Sequence, residues 1–454
     1  MSDHLVTVVG GGLAGCEAAY RLARRGISVL LCEMRPGKGT PAHSTGDLAE
    51  LVCSNSLGAD LPSSSAGILK QELRMLDSLI MKCADGAKIP AGKALAVDRS
   101  VFSRLVSESL ENCGNVRIVR DEACRIPDGA AIIAAGPLMS GSIADKLREM
   151  VGGYLSFFDA AAPIVTFESI DMTRAYRADR YGVGGGGDYI NCPMDRERYE
   201  AFHRELSSAE RADLHDFDLR AEYFEGCLPI EVMACRGVDT MRFGPMRPVG
   251  LPDPATGRTP YAVVQLRRDN ADGTLYNMVG FQTNLKWPEQ DRVFRMIPAL
   301  ERAEFARRGV MHRNSFVCAP AALDEYLRPL RGGVTARRDL FLAGQITGVE
   351  GYVESAAMGL AAAIFAEAEI TGREKPRFPE TTAIGSLLRY LREAEPAAFR
   401  PMNVNLGIFP KLETVKLSET GRKKRMSKPE RAAMYAGRSR EDMERFLQTN
   451  SLVI

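Results

Sequence analysis

The sequence predicts an α/β fold in which a parallel sheet flanked by helices is interrupted by an inserted α+β unit. An apolar run of mostly β-branched residues, 5–9, precedes a glycine-rich turn and a helical stretch, the order of a strand–helix–strand unit. A second strand-then-glycine segment, 339–344, lies far along the chain and precedes a small-residue helix at 353–368. The residues between them follow a different pattern of strands and helices. We therefore expect the sheet to begin near residue 5 and to be completed near residue 345.

The first third of the chain alternates strands and helices. Short apolar runs typical of buried parallel strands occur at 5–9, 27–32, 116–119 and 130–134. Helical spacing of apolar residues predicts helices over 16–25, 68–83 and 101–111. The stretch 35–61 is rich in Pro, Gly, Ser and His, which predicts a long functional loop.

From about residue 157 the pattern becomes that of an α+β unit. Strand-like runs occur at 163–167, 261–266 and 276–280, with a charged helical stretch at 195–211. We therefore divide the chain into a nucleotide-binding domain in two parts, an insertion domain and a mainly helical C-terminal segment. In that order along the chain, the predicted boundaries are 1–160 and 326–380 for the two parts, 161–325 for the insertion and 381–454 for the final segment.

Composition limits the class of protein. Of 454 residues, 45% are hydrophobic and 26% charged, ordinary globular values that exclude disorder, collagen and coiled coil for the whole chain. The ten cysteines include no C-x-x-C pair, which argues against a zinc site or a redox dithiol, and we expect no metal. No basic signal-peptide start and no apolar run of about 18 residues occurs, so we expect a cytoplasmic protein with no membrane segment.

The near-zero net charge of +1 conceals an uneven distribution. Residues 400–454 contain 12 basic and 6 acidic side chains, a net charge of +6, which leaves −5 for the rest. The densest basic cluster is 422–425, with Lys428 and Arg431 beyond it; such runs are usually solvated surface, and they are also a candidate RNA contact. Three other basic residues follow Cys227 in the sequence and are better placed than this cluster to hold a substrate near that cysteine: Arg236, Arg242 and Arg247.

The glycine-rich turn predicts a dinucleotide site. It reads G-x-G-x-x-G between a strand and a helix, and an acidic residue follows at the end of the second strand. The glycines allow a tight turn, a close approach of the backbone to a pyrophosphate and close helix–strand packing, while the acidic group reaches a ribose hydroxyl. The predicted binding residues are Gly10, Gly11, Gly12, Leu13, Ala14, Gly15 and Glu33.

Two distant segments favour FAD over NAD as the dinucleotide. The run 131–137 ends in Gly136 and resembles the strand-to-glycine segment of the two-dinucleotide flavoprotein superfamily. The run 340–345 ends in Gly344 and Gln345 and resembles its late flavin-binding strand. That strand commonly ends in an acidic residue, so Gln345 departs from the pattern; its amide can still hydrogen-bond a ribityl or phosphate group.

Longer segments carry a more specific resemblance that covers nearly the whole chain. Together they resemble the folate- and FAD-dependent tRNA (uracil-5-)-methyltransferase family. These segments are TPAHSTGDLAELVCSNSL (40–57), FFDAAAPIV (157–165), YINCPM (189–194), YFEGCLPIEVMACRG (223–237), GFQTNLKWPEQDRVFRMIPALERAEFARRGVMHRNSF (280–316), FLAGQITGVEGYVESAAMG (341–359) and FRPMNVNLGIFP (399–410).

The resemblance implies an enzyme that forms 5-methyluridine in the T loop of tRNA. It implies 5,10-methylenetetrahydrofolate as carbon donor, reduced FAD as electron donor and NAD(P)H as reductant. Carbon 5 of uracil becomes nucleophilic when a thiolate adds to carbon 6, and a second group must then move a proton. The resemblance assigns these roles to Cys53 and Cys227, and we favour Cys53 as the uracil nucleophile. The loop residue His43 and six further cysteines are interpreted as structural: Cys16, Cys32, Cys83, Cys113, Cys124 and Cys318. Cys192 and Cys235 lie within family-like segments, but we assign them no direct chemistry.

Three alternatives remain open on the sequence. The same motifs fit a paralogue that acts on ribosomal RNA. An FAD-dependent oxidoreductase of a small molecule would share the nucleotide site, but would show neither folate dependence nor an RNA product. A non-catalytic flavin-bearing RNA-binding protein would not need either cysteine.

Overall fold

The computed structural model describes residues 5–40, 42–153, 155–182, 187–212, 228–412, 415–417 and 423–452. Its helices, in chain order, are α1 (Leu13–Arg24), α2 (Ser65–Met75), α3 (Leu79–Gly86), α4 (Arg99–Glu111), α5 (Gly141–Val151), α6 (Arg196–Ser208), α7 (Ile230–Cys235), α8 (Thr240–Phe243), α9 (Trp287–Phe294), α10 (Ala319–Ala322), α11 (Tyr352–Ile370), α12 (Ala383–Glu393) and α13 (Lys428–Asn450).

The strands, in the same order, are β1 (Leu5–Val9), β2 (Ser28–Cys32), β3 (Ser56–Ala59), β4 (Lys88–Ile89), β5 (Ala94–Val97), β6 (Val116–Val119), β7 (Ala131–Ile133), β8 (Leu155–Ala160), β9 (Ile164–Thr166), β10 (Tyr176–Arg177), β11 (Tyr189–Met194), β12 (Ala262–Arg268), β13 (Leu275–Met278), β14 (Phe305–Arg307), β15 (Met311–Phe316), β16 (Leu330–Arg331), β17 (Val334–Thr335), β18 (Leu340–Leu342), β19 (Val415–Leu417) and β20 (Lys423–Arg425).

The first strand lies at the centre of a five-stranded parallel sheet of order β18-β7-β1-β2-β6. Val8 pairs with Leu31 on one side and with Ile132 on the other. The late strand β18 pairs in parallel with β7, so residues 340–342 complete the sheet that residue 5 begins. The predicted α/β fold, with a parallel sheet assembled from both ends of a long intervening segment, is therefore confirmed.

Helices α1 and α11 pack against each other beside this sheet. α11 is buried over most of its surface, as expected for a helix that is apolar all round. A Cβ atom on Gly359 would lie 2.2 Å from the carbonyl oxygen of Ala14, so the two helix backbones touch at this point. This close packing fixes α11 beside the glycine-rich turn.

The intervening segment forms a six-stranded antiparallel sheet of order β10-β11-β12-β13-β9-β14. Its apolar side chains, among them Tyr199, Phe281 and Phe294, form a cluster distinct from the one around the parallel sheet. The chain leaves toward this sheet along β8 and returns along β15, and these two strands pair antiparallel. The domain boundaries given above remain predictions.

One predicted helix, 68–83, is two helices in the structure. α2 ends at Met75 and α3 begins at Leu79, with Asp77 between them in the left-handed region at φ +63°. The Ser78 side chain accepts the Met81 N–H, and the buried carboxylate of Glu17 accepts bonds from Ser78 and from the first amides of α3. These caps satisfy a helix start that apolar spacing does not reveal.

The C-terminal segment packs helices against the first domain. Glu72 of α2 accepts the N–H groups of Ala383 and Ile384 at the start of α12 and the Ser439 hydroxyl of α13. Lys428 is exposed at the start of α13, whereas Arg422 lies outside the described residues. Within the described ranges, no helix is both long enough and apolar enough to cross a membrane.

Candidate active site

The three glycines of the turn have separate structural roles. A Cβ on Gly10, at φ +106°, would lie 2.4 Å from the carbonyl oxygen of Ala134, and one on Gly15 would lie 1.8 Å from that of Gly10. A Cβ on Gly12 would meet no atom within 4 Å. Gly10 and Gly15 therefore allow strand and helix to pack, while Gly12 leaves open space at the N-terminus of α1, where an anion is favoured.

Glu33 closes one side of this turn. Its carboxylate accepts the Gly11 N–H at 2.7 Å and two N–H groups of Arg35 at 2.9 Å each. Burial alone would raise the pKa of Glu33, but these bonds outweigh it and hold the pKa below its ordinary value. Glu33 is therefore an anionic acceptor fixed at the end of β2, where the ribose of a dinucleotide lies in this fold.

A cleft of about 430 Å³ opens above the turn and collects most of the predicted site residues. Gly11 and Gly15 do not line it but shape the turn, and Cys227 lies outside the described residues. His43, interpreted from the sequence as structural, also lines it, with Nδ1 2.6 Å from Thr40 Oγ1. The predicted residues that line the cleft are Gly10, Gly12, Leu13, Ala14, Glu33, Cys53, Gly136, Gly344 and Gln345.

Two amides in this cleft indicate where a ligand would bind. The Gln345 amide donates to the Glu350 carboxylate at 2.6 Å, and both side chains line the cleft. An acidic side chain is therefore present in the cleft five residues beyond position 345. Asn314, 2% exposed, also lines the cleft, and its Oδ1 atom has no hydrogen-bond partner among the residues that the structure describes. A buried orphan acceptor of this kind is explained by a donor group on a bound cofactor.

Cys53 is held in this cleft by Tyr352, the first residue of α11. The Tyr352 hydroxyl accepts the N–H groups of Cys53 at 2.9 Å and of Ser54 at 3.3 Å, and lies 3.1 Å from the Cys53 sulfur. Burial, then the neighbouring thiol, raises the pKa of Tyr352 well above its ordinary value, so the phenol keeps its proton. Because the Tyr352 oxygen accepts two amide N–H groups, both of its acceptor positions are used. The hydroxyl proton is therefore directed at the Cys53 sulfur.

Two arginines bring positive charge to the same place. Arg99 donates to the Leu51 carbonyl and pairs with Asp269 at 3.1 Å. Arg307, on β14, donates to the Ala42 carbonyl at 3.4 Å, and no ion pair to a carboxylate is formed within the described part of the chain. Burial, then repulsion from Arg99, lowers the pKa of Arg307. The two cations favour an anion beside the thiol and the phenol.

The loop that carries Cys53 is also fixed from the inserted sheet. The buried guanidinium of Arg267, on β12, donates to Asn55 Oδ1 at 3.0 Å and to Ser54 Oγ at 2.8 Å. The Asn55 amide in turn donates to the carbonyls of Val97 and Arg268. The cysteine is therefore positioned jointly by the nucleotide-binding region and by the insertion.

The sequence reasoning missed these supporting residues. Tyr352 lies inside a family-like segment, 341–359, so an aromatic hydroxyl at the start of the helix that follows the late glycines was a usable signal. Arg99 and Arg267 stand in no such segment. Among the other cysteines, Cys16, Cys83 and Cys192 are buried, and burial raises the pKa of Cys192 to about 12. Cys124 and Cys235 are exposed, so burial does not account for these two.

Comparisons with known proteins agree with this architecture. Residues 5–374 match the family model described as glucose inhibited division protein A. The chain is 55% identical over 411 residues to the methylenetetrahydrofolate--tRNA-(uracil-5-)-methyltransferase TrmFO of Acetivibrio thermocellus, covering 90% of this chain and 92% of that protein. It is 51% identical over 454 residues to the protein of that name from Desulforamulus reducens, covering 100% and 99%.

A solved structure of GidA from Aquifex aeolicus, in its form II crystal, superposes with a TM-score of 0.67 at 17% identity. The alignment covers 99% of this chain and 75% of that one. At this identity the likeness bears on the fold alone, and it extends over the insertion as well as the parallel sheet.

Proposed function

This chain belongs to the methylenetetrahydrofolate--tRNA-(uracil-5-)-methyltransferase family, and on that premise we propose that it forms 5-methyluridine in tRNA. The target is a uridine of the T loop. The carbon comes from 5,10-methylenetetrahydrofolate, and NAD(P)H supplies electrons through FAD. The observation that carries the proposal is that the thiol of Cys53 lines the same cleft as the glycine-rich turn.

The cleft has the features that FAD requires. The open space at Gly12 and the N-terminus of α1 suit the pyrophosphate, the Glu33 carboxylate suits ribose hydroxyls, and the orphan Asn314 Oδ1 suits a donor group of the cofactor. When bound, FAD supplies reducing electrons and the folate supplies one carbon unit. The chain's own residues must provide the nucleophile, the proton transfer and the positioning.

The thiols act on the uracil ring. A thiolate forms a bond to carbon 6, and the electron pair of the ring double bond moves onto the carbonyl oxygen at carbon 4, so that carbon 5 can take up the one-carbon unit. The other cysteine, as a thiolate, takes the carbon 5 proton, which restores the double bond and expels the first thiolate. The transferred carbon enters at the formaldehyde oxidation level and becomes a methyl group on gaining a hydride equivalent from the electrons that NAD(P)H supplies. Arg99 and Arg307, near Cys53, stabilise the negative charge that develops during these reaction steps. Tyr352 donates a hydrogen bond to the Cys53 sulfur.

The function is tested by supplying the purified yellow protein with unmodified tRNA, methylenetetrahydrofolate and NADPH, followed by mass analysis of nucleosides. We expect 5-methyluridine in tRNA and none when folate is omitted. Product in ribosomal RNA but not in tRNA would assign the chain to the ribosomal-RNA paralogue. NADPH oxidation without product in either RNA would favour the small-molecule oxidoreductase.

The roles of the two cysteines are assigned by trapping. A tRNA with 5-fluorouridine at the target carries no removable proton at carbon 5, so the thiol bonded to carbon 6 stays attached. Peptide mapping of the trapped complex then identifies that thiol as Cys53 or Cys227. The Cys53→Ala and Cys227→Ala variants provide the cross-check, because only the nucleophile's variant loses the covalent complex. Cellular phenotypes left unchanged by both Cys53→Ala and Cys227→Ala would favour the non-catalytic interpretation.

A further inference from the structure

We propose that an aromatic and basic surface of the inserted unit binds the RNA strand around the target uridine. We call it the arginine–aromatic face and define it by Arg180, Tyr181, Phe243, Arg247 and Val249. The proposal rests on the RNA substrate proposed above and adds where on the protein that RNA is held. It does not involve the basic cluster of the C-terminal segment.

The first observation is the exposure of two aromatic rings and one aliphatic side chain. Phe243, at the end of α8, is 82% exposed, Tyr181 is 61% exposed, and Val249 is 46% exposed. Tyr181 lies in the left-handed region at φ +62°, unusual for a non-glycine residue, and its ring lies directly on Gly250. Flat, solvent-facing rings such as those of Phe243 and Tyr181 suit stacking of unpaired bases, which is how single-stranded RNA loops are recognised.

The second observation is positive charge without acidic partners. Arg180 uses its guanidinium to hold the carbonyls of Val249 and Arg247, and it also donates to the Gln265 side chain at 3.1 Å. Arg247 is exposed, and no carboxylate pairs with it in the described ranges of the chain. Burial, then repulsion from Arg247, lowers the pKa of Arg180, so two cations lie close together. Such a pair favours a polyanion such as the phosphate backbone.

The third observation is the position of this surface relative to Cys53. The N–H of Val263 on β12 donates to the Met246 carbonyl of the loop that carries Phe243 and Arg247. Four residues further along the same strand, about 13 Å at the rise of a β-strand, Arg267 contacts the loop of Cys53. The arginine–aromatic face is therefore connected by one strand, β12, to the loop that carries Cys53.

Trp287 provides a matched control. Its side chain is 58% exposed, and the guanidinium of Arg308 lies 5.8 Å from its ring centre, so it also combines an exposed ring with an arginine. Arg308, however, pairs with Asp291 at 2.9 Å, which neutralises its charge. Trp287→Ala removes a comparable exposed ring from a place without free positive charge.

The test compares Phe243→Ala, Arg247→Ala and Trp287→Ala in the FAD-loaded protein. The dissociation constant for unmodified tRNA is measured at several salt concentrations, together with flavin content and flavin reduction by NADPH. We expect Phe243→Ala to weaken binding about 5- to 150-fold, the effect of losing one stacked base. Arg247→Ala should weaken it and reduce the salt slope by about one. Trp287→Ala, the flavin content and the reduction rate should be unchanged.

Wild-type affinity in both Phe243→Ala and Arg247→Ala, or an equal loss in Trp287→Ala, would overturn the proposed face while leaving the proposed function intact. Failure of the function is seen separately, as absence of 5-methyluridine with the wild-type protein. Because tRNA binding is measured without the chemical step, the face is tested in either case.

Discussion

The hydroxyl oxygen of Tyr352 lies 3.1 Å from the sulfur of Cys53 and accepts the amide N–H of the same cysteine at 2.9 Å. One side chain thus fixes the backbone of the loop that carries Cys53 and offers its proton to the thiol. The two residues are 299 positions apart, so the contact forms only when α11 has docked beside the glycine-rich turn.

We expect Tyr352→Phe to lower methylation by about 10- to 150-fold, because a hydrogen bond to a charged group contributes about 1.5–3 kcal/mol. The variant should keep its FAD. Alkylation of Cys53 by iodoacetamide, followed by peptide mass across a pH series, should reach half its maximum rate at a higher pH than in the wild-type protein. A purely structural role would lower stability without moving that midpoint.

Arg267→Lys should impair catalysis more than cofactor binding. A lysine presents one compact charge and cannot bond both Ser54 and Asn55 in the forked geometry of the guanidinium. We expect methylation to fall at least about tenfold, the equivalent of one lost buried hydrogen bond of about 1.4 kcal/mol. The measurement is turnover against flavin absorbance per mole of protein, with Arg268→Lys, at a half-buried position of the same strand, as the neighbouring control. Equal loss of flavin and turnover would contradict this role.

Gly12→Ala and Gly15→Ala should separate cofactor binding from folding. A methyl group on Gly12 meets no protein atom within 4 Å, and its φ of −77° suits any residue, so the fold should keep its melting temperature without FAD. The same methyl fills the space for the pyrophosphate, and flavin occupancy should fall at least about tenfold. Gly15→Ala should instead destabilise the fold itself, because its Cβ would lie 1.8 Å from a backbone oxygen. Full flavin occupancy in Gly12→Ala would contradict the site.

Stability should depend on pH through two buried carboxyl groups. Burial raises the pKa of Glu72, and likewise of Glu17, from 4.5 to about 7. The native state therefore holds more protons than the unfolded state between these values, and the free energy of unfolding should fall as pH rises through this window. The loss is on the order of 3 kcal/mol per group.

Urea unfolding at pH 5, 6, 7 and 8 measures this dependence. Glu72→Gln should lower the slope, and the double variant with Glu17→Gln should retain only the smaller slope of Glu354, whose pKa burial raises to about 6. An unchanged slope in the double variant would show that other groups are responsible.

Local patterns predicted the parallel sheet well because each strand is a short apolar run bounded by glycine or a polar residue. They failed at Ser78, where a cap and a buried carboxylate from Glu17 start a new helix within continuous apolar spacing. They also missed the surroundings of Cys53, since Arg99, Arg267 and Tyr352 reach it from three distant parts of the chain. Contacts of that kind depend on topology, and no spacing in a single sequence encodes them.

The antiparallel pair of β8 and β15 places the exit and the return of the insertion side by side, about 5 Å apart. Because the chain enters and leaves the insertion at neighbouring positions, the inserted unit is a module. It can be exchanged or enlarged without changing the path of any strand of the parallel sheet. One demand limits that freedom, because the module must still present a side chain equivalent to Arg267 to the cysteine loop. New RNA substrates are therefore most accessible through changes in the outer loops of this unit, with its inner strand preserved.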